Sequence, residues 1–176
     1  MQKLDALSGH LPNKWTWQGL SLLFFAQQGF DVINIENLNY KKFARLGKSY
    51  LRTIWNTETY TMQRKYSDLR REQSIARALI RQKNIKLVFH KNITLAQATS
   101  LMRKGYVVLV SVNPYTLRGE QGYASHTVVL TGSTRSHIIY HDPGPPGYKH
   151  KKISKYIFEK AMTKPAKDDG NIIAIK

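Results

Sequence analysis

The chain has 176 residues, 41% of them hydrophobic and 11% aromatic, which is the length of one ordinary domain and enough apolar content to bury roughly two-thirds of its unfolded surface. Twenty-eight Lys and Arg against 11 Asp and Glu give a net charge of +17, which bears on solubility and partners rather than on fold. With no cysteine, disulfides and thiolate metal sites are excluded and the redox compartment stays open.

The first residues, MQKLDALSGHLPNKWTW, lack the basic start and continuous apolar stretch of a signal peptide, so a soluble, cytoplasmic protein is the expectation. Leu4 and Leu7 have the spacing of the end of an amphipathic helix. Thr16 is placed to cap a helix through Leu20, Leu22, Leu23, Phe24 and Ala26, which Gly29 would end. The apolar run from Leu20 to Ala26 is far short of the roughly 20 residues that span a bilayer. The segment FDVINI reads as a strand. From Leu38 to Ile54, Tyr40, Phe43, Ala44, Leu46, Tyr50, Leu51 and Ile54 recur at helical spacing interrupted by Gly47, predicting two short helices or one bent one.

Asp68 opens a clearer helix, with Leu69, Ala76, Leu79 and Ile80 on one side and Arg70, Ser74, Arg77 and Arg81 on the other. A strand from Ile85 to His90 follows. Thr94 then begins a helix through Leu95, Ala98, Leu101 and Met102, stopped at Lys104-Gly105. Three β-branched runs come next, YVVLVSV, HTVVLTG and SHIIYHD, as expected of neighbouring strands in a buried antiparallel sheet. A helix from Ile153 to Met162 and a last strand, NIIAIK, complete the chain. Helices first and sheet second is the order of an α+β domain in two layers; without a repeat or linker, residues 1–176 read as one domain.

Three segments could carry chemistry: the glycine-bounded turn GEQGYASH ending at His126, the strand exit HDPGPPG containing Asp142, and the strand end SVN at Asn113. If the strands pair as neighbours, His126 and Asp142 lie side by side at one sheet edge. A carboxylate on one ring nitrogen fixes the imidazole tautomer and lets the other nitrogen take a proton near neutral pH. Ser125 is a poor nucleophile for that base because adjacent strand residues face opposite ways. The competing structural reading has His126 at a strand turn and Asp142 in an Asx-turn into Pro143. His137 and His141 share a strand face, but no third ligand follows from spacing, so neither a metal nor another cofactor is expected.

Together, W-T-W-Q-G-L, G-F-D-V, G-Y-V-V-L-V-S-V-N, G-Y-A-S-H-T-V-V-L-T-G, H-D-P-G-P-P and an I-S…F-E-K-A helix resemble the double-glycine leader peptidase-like family of papain-like cysteine peptidases, from about Trp15 onward. The resemblance implies a papain-like α+β fold, a helical N-terminal half packed on a mainly antiparallel sheet from the C-terminal half. It also implies that His126 is the catalytic histidine, Asp142 its orienting acid, and an extended peptide the partner. Asn113, Trp17 and Tyr123 are candidate groove residues; Asn113 also reads as a strand terminator and Trp17 as a core aromatic.

The family's Gln and Cys, which precede its Trp-Thr segment by a few tens of residues, have no counterpart here. The expectation is therefore a truncated or mis-started chain, or a degenerate paralogue, inactive as a thiol hydrolase. A partner or dimer mate would cover the place of the missing helix. The second reading is a basic interaction module for nucleic acid or an anionic surface, which the dispersion of Lys41-Lys42, Arg70-Arg71 and Lys149 to Lys155 favours less.

Overall fold

The computed structural model describes residues 8–163 and 170–176; the helix end expected at Leu4 and Leu7 lies outside them. The described residues form a mixed α+β structure with eight helices and one seven-stranded sheet. None of these helices is long and apolar enough to cross a membrane. The chain divides into two compact units, Met1–Val32 with Leu38–Leu87, and Ile33–Asn37 with Val88–Lys176.

The first unit is helical. Its elements are α1 (Gly19–Gln27), α2 (Tyr40–Leu46), α3 (Lys48–Ile54), α4 (Thr57–Tyr66) and α5 (Leu69–Leu79). Thr16 does not cap α1. The helix starts after Gln18, which makes no side-chain cap, while the Thr16 hydroxyl lies 3.0 Å from His10 Nδ1. At Gly19 an added Cβ would come within 2.6 Å of Ile75 Cγ2, so the missing side chain is what lets α1 close on α5. Gly47 separates α2 from α3 at φ +55°, ψ −129°, a backbone state that side chains oppose.

Asn39, Asn56 and Asp68 cap α2, α4 and α5 by accepting from Lys42, Thr59, and both Arg70 and Arg71 backbone N–H groups. The unit's core joins Phe43, Tyr50, Leu51, Tyr60, Leu69 and Ala76. Ile80, expected on the buried side of α5, terminates that helix and is 41% exposed.

The sheet, most of which lies in the second unit, has the order β2-β1-β7-β3-β4-β5-β6. The strands are β1 (Val32–Glu36), β2 (Ile85–Phe89), β3 (Val107–Val112), β4 (His126–Ser133), β5 (His137–Asp142), β6 (Tyr148–Ser154) and β7 (Asn171–Ile175). From β7 to β6 every pair is antiparallel. The C-terminal half supplies five of the seven strands, and the two strands expected at FDVINI and from Ile85 complete the sheet as β1 and β2. Three helices belong to this part of the chain: α6 (Leu95–Arg103), α7 (Pro114–Arg118) and α8 (Lys155–Thr163).

Thr94 and Gln97 form a reciprocal capping box at the start of α6, satisfying two N–H groups that the helix leaves unpaired. The helix expected from Ile153 begins at Lys155, because Tyr148–Ser154 pairs with β5 instead. One sheet face, carrying Val108, Val110, Val128, Leu130, Ile138 and Tyr140, packs with Phe158, Ala161 and Met162 of α8 and Leu95 and Ala98 of α6. Within the central strands a polar chain is buried: Ser111 Oγ donates to Asn171 Oδ1 at 3.2 Å, and Asn171 Nδ2 donates to Asn34 Oδ1 at 3.3 Å. Such pairs are satisfied only in one register, so they select it.

Candidate functional site

The site forms where β4 begins and β5 ends. Residues 126, 128 and 130 of β4 share a face, as do 138, 140 and 142 of β5, because strand side chains alternate. Val128, Leu130, Ile138 and Tyr140 are buried on that face. His126 and Asp142 are its half-buried continuation toward the sheet edge, with side chains 27% and 16% exposed.

His126 Nε2 lies 2.7 Å from Asp142 Oδ1, a distance typical of a charge-assisted hydrogen bond. Lys151, on β6, donates from Nζ to Asp142 Oδ2 at 3.3 Å, and the Gly144 N–H donates to Oδ1 at 3.2 Å. The last of these is the Asx-turn of the structural reading. The two roles coexist, one carboxylate turning the chain and holding the imidazole.

Burial pushes the Asp142 carboxyl upward, but hydrogen bonds from His126 and Lys151, the His126 charge and the Gly144 N–H outweigh it and hold it below the usual range. The neighbouring Tyr140 phenol is pushed up, first by burial and then by the Asp142 charge. With Asp142 ionised, the shared proton resides on His126 Nε2 and the neutral ring's lone pair is on Nδ1. That nitrogen has no hydrogen-bond partner among the described residues.

The pH consequence has a definite sign. A carboxyl whose folded value is depressed contributes stability above its unfolded range, and that contribution is lost as pH falls through the folded value. In a Lys151→Gln variant the Asp142 carboxyl is expected to titrate at higher pH than in the parent, moving this acid-side loss upward. Carboxyl carbon shifts followed by NMR through the titration would check it, an unmoved Asp142 midpoint counting against the Lys151 contact.

Asn113 ends β3 and is 3% exposed. Its Oδ1 accepts from Tyr115 N and its Nδ2 donates to Thr116 Oγ1 and Gly122 O. It thereby caps α7 and ties down the loop leading into His126. Gly122 takes φ +138°, and a Cβ there would meet the Tyr115 ring at 2.7 Å; the loop folds flat against that ring because this position has no side chain. Tyr123, next along, is 45% exposed. Ser125 is exposed, and no described hydrogen bond links it to the imidazole.

Trp17 stands in the first unit, packed on Phe43 and Trp55, and its indole N–H is shared between Gln63 Oε1 and Ser67 Oγ. His126, Asp142, Asn113 and Tyr123 therefore belong to the second unit, and Trp17 to the other.

No protein-family model matches the chain, and no curated protein matches it.

Sequence reasoning misses Lys151. Its approach to Asp142 depends on β6, and a signal exists in the nine-residue separation across a Pro-Gly turn, which suits a hairpin. His141 Nδ1 accepts from the His150 N–H at 3.1 Å, with the two rings 4.6 Å apart, and His137 Nδ1 lies 2.8 Å from Ser136 Oγ. These histidines are thus engaged locally. Among the described residues no three His, Cys, Asp or Glu side chains group as a metal site. Chemically, the assembled pair can accept a proton at His126 Nδ1 and stabilise the resulting imidazolium through Asp142.

Proposed function

We propose that the second unit carries the base and orienting carboxylate of a cysteine-peptidase-like site, in a papain-like fold resembling that of the double-glycine leader peptidases, and that this chain binds an extended peptide without hydrolysing it. The 2.7 Å contact of His126 Nε2 with Asp142 Oδ1 carries the reading. In support, the loop before His126 is braced by Asn113, the exposed Tyr123 borders it, and the face around His126 continues an apolar sheet.

Amide hydrolysis through an acyl-enzyme requires an activated nucleophile, and with no cysteine in the chain the His-Asp pair has no thiol to deprotonate. Peptide recognition along a cleft through main-chain hydrogen bonds does not depend on that group.

A peptide ending in Gly-Gly, titrated into the full chain and followed by amide NMR, is expected to perturb His126, Tyr123 and Asp142 saturably. Mass spectrometry of the same mixture should find the peptide intact. His126→Ala should weaken binding about tenfold, the loss of a hydrogen bond or two. Shifts scattered over both units, or none at all, would defeat the proposal.

A further inference from the structure

The first unit holds a feature of different chemistry. A cavity of about 340 Å³ opens among Lys14, Lys48, Arg64 and Arg70, with Ser67 and Asp68 in its wall. The cations converge from separate segments: Lys14 precedes α1, Lys48 begins α3, Arg64 lies in the last turn of α4 and Arg70 in the first turn of α5. Their supports are fixed. Lys14 Nζ donates to Lys65 O at 2.7 Å and the Trp15 N–H to Tyr66 O at 2.6 Å, tying the N-terminal segment to the end of α4. The Arg64 guanidinium sits 5.9 Å from the centre of the Tyr60 ring.

The lining carries four cations, three of them exposed, against one carboxylate, and Asp68 Oδ1 already accepts the backbone N–H groups of Arg70 and Arg71. Among the described residues, the ion pairs involve Arg118, Glu120, His126, Asp142 and Lys151, and none includes a cation of this cavity. Arg70 is further disfavoured where it stands, because the first turn of a helix carries partial positive charge. Like charges gathered around an opening without internal neutralisation are relieved by a bound anion.

We propose that this cavity binds a phosphate-bearing anion of at least two negative charges. Two guanidinium forks suit tetrahedral phosphate oxygens bidentately, while the lysines add charge without fixed direction. The volume is at the small end of ligand sites and matches a short phosphate chain. A single carboxylate would leave most of the excess charge in place. The inference is independent of the role given to His126, which lies in the other unit.

Sodium tripolyphosphate titrated into the full chain at low and physiological salt is the direct test, read by calorimetry and amide NMR. One saturable site is expected, with shifts centred on residues 64–70 and affinity falling as salt rises. The double substitution R64Q/R70Q should weaken it at least about tenfold. R64K/R70K, which keeps the charge but loses the forks, should give a smaller loss. K149Q/K152Q, which removes two exposed charges in the second unit, should change nothing.

An equal loss in K149Q/K152Q, or no saturable binding, would overturn the proposal, as would hexaglutamate binding as tightly as tripolyphosphate. A single-stranded oligonucleotide separates the sources: tighter binding than tripolyphosphate, abolished by R64Q/R70Q, assigns the phosphates to a nucleic-acid backbone, and binding no tighter assigns them to a free oligophosphate. Both outcomes support the site.

Discussion

Glu72→Gln is expected to stabilise the protein above pH 7 and to leave it nearly unchanged below pH 4. Glu72 is 8% exposed in α5, and its carboxyl is pushed up from 4.5 to about 7, chiefly by burial, with Arg71 lowering it and Asp68 raising it. A group with a raised folded value contributes stability below its unfolded value and loses it as pH climbs through the folded one. Between those limits the unfolded chain releases a proton that the folded state still holds, which favours unfolding.

Glutamine has nearly the same shape and never ionises, so it escapes that loss. At about 1.4 kcal/mol for each pH unit separating the folded value from the unfolded one the ceiling is about 3.5 kcal/mol, and with solvent screening the gain at pH 8 is on the order of 1–3 kcal/mol. For a chain of this size that is about 2–4 °C in Tm per kcal/mol. Melting curves of both proteins at pH 4 and pH 8 would decide it. The same difference at the two pH values would mean that ionisation of Glu72 has no part in stability.

Phe158→Ala is expected to cost about 3–5 kcal/mol, the range for removing a buried aromatic ring. Phe158 is fully buried, and its ring lies 5.7 Å from that of Tyr140. Total stabilities run at about 5–15 kcal/mol, so urea unfolding should register a large fall in midpoint. Phe158→Leu, which leaves a smaller void, should lose distinctly less.

The effect should also reach the site. Tyr140 shares its strand face with Asp142, so loosening the ring under it frees the strand end that holds His126. Imidazole nitrogen shifts should then report a mixed tautomer for His126 in the variant where the parent has one. A loss under about 1 kcal/mol would mean that Phe158 is not the anchor its burial implies.

The elements legible in the sequence are those written in short-range chemistry. Asp68, Thr94, Gly29 and Gly105 mark helix ends, and the glycines adopt φ +89° and +83° there. The runs YVVLVSV, HTVVLTG and SHIIYHD form three neighbouring strands because branched side chains suit a covered sheet, and their ends bring His126 to Asp142. What escapes depends on partners distant in sequence.

The helix α4 buries Tyr60 alone, so no apolar stripe announces it. Tyr148–Lys152 shows no strand pattern and Ile153 and Ser154 read as the start of a helix; only the ladder that β5 offers makes the segment a strand, and Lys151 is hidden with it. For α7 the cue is present, an Asn-Pro pair at its start, but five residues make a weak pattern. That NIIAI lies between β1 and β3 is a matter of topology, about which a terminal strand carries no local mark. Trp17 could equally face a groove or fill a core; only its contacts with Phe43 and Trp55 distinguish these.

The strand β6 ends the sheet on one side. Opposite His141 it spends two residues, Lys149 and His150, against one, and His150 takes φ +55°. A margin kinked in that way, with lysines at 149, 151 and 152, meets a second copy of itself as like charge on mismatched spacing. Fibril-like stacking through this border is therefore blocked, and concentrated solutions should remain clear until the amines are neutralised at high pH.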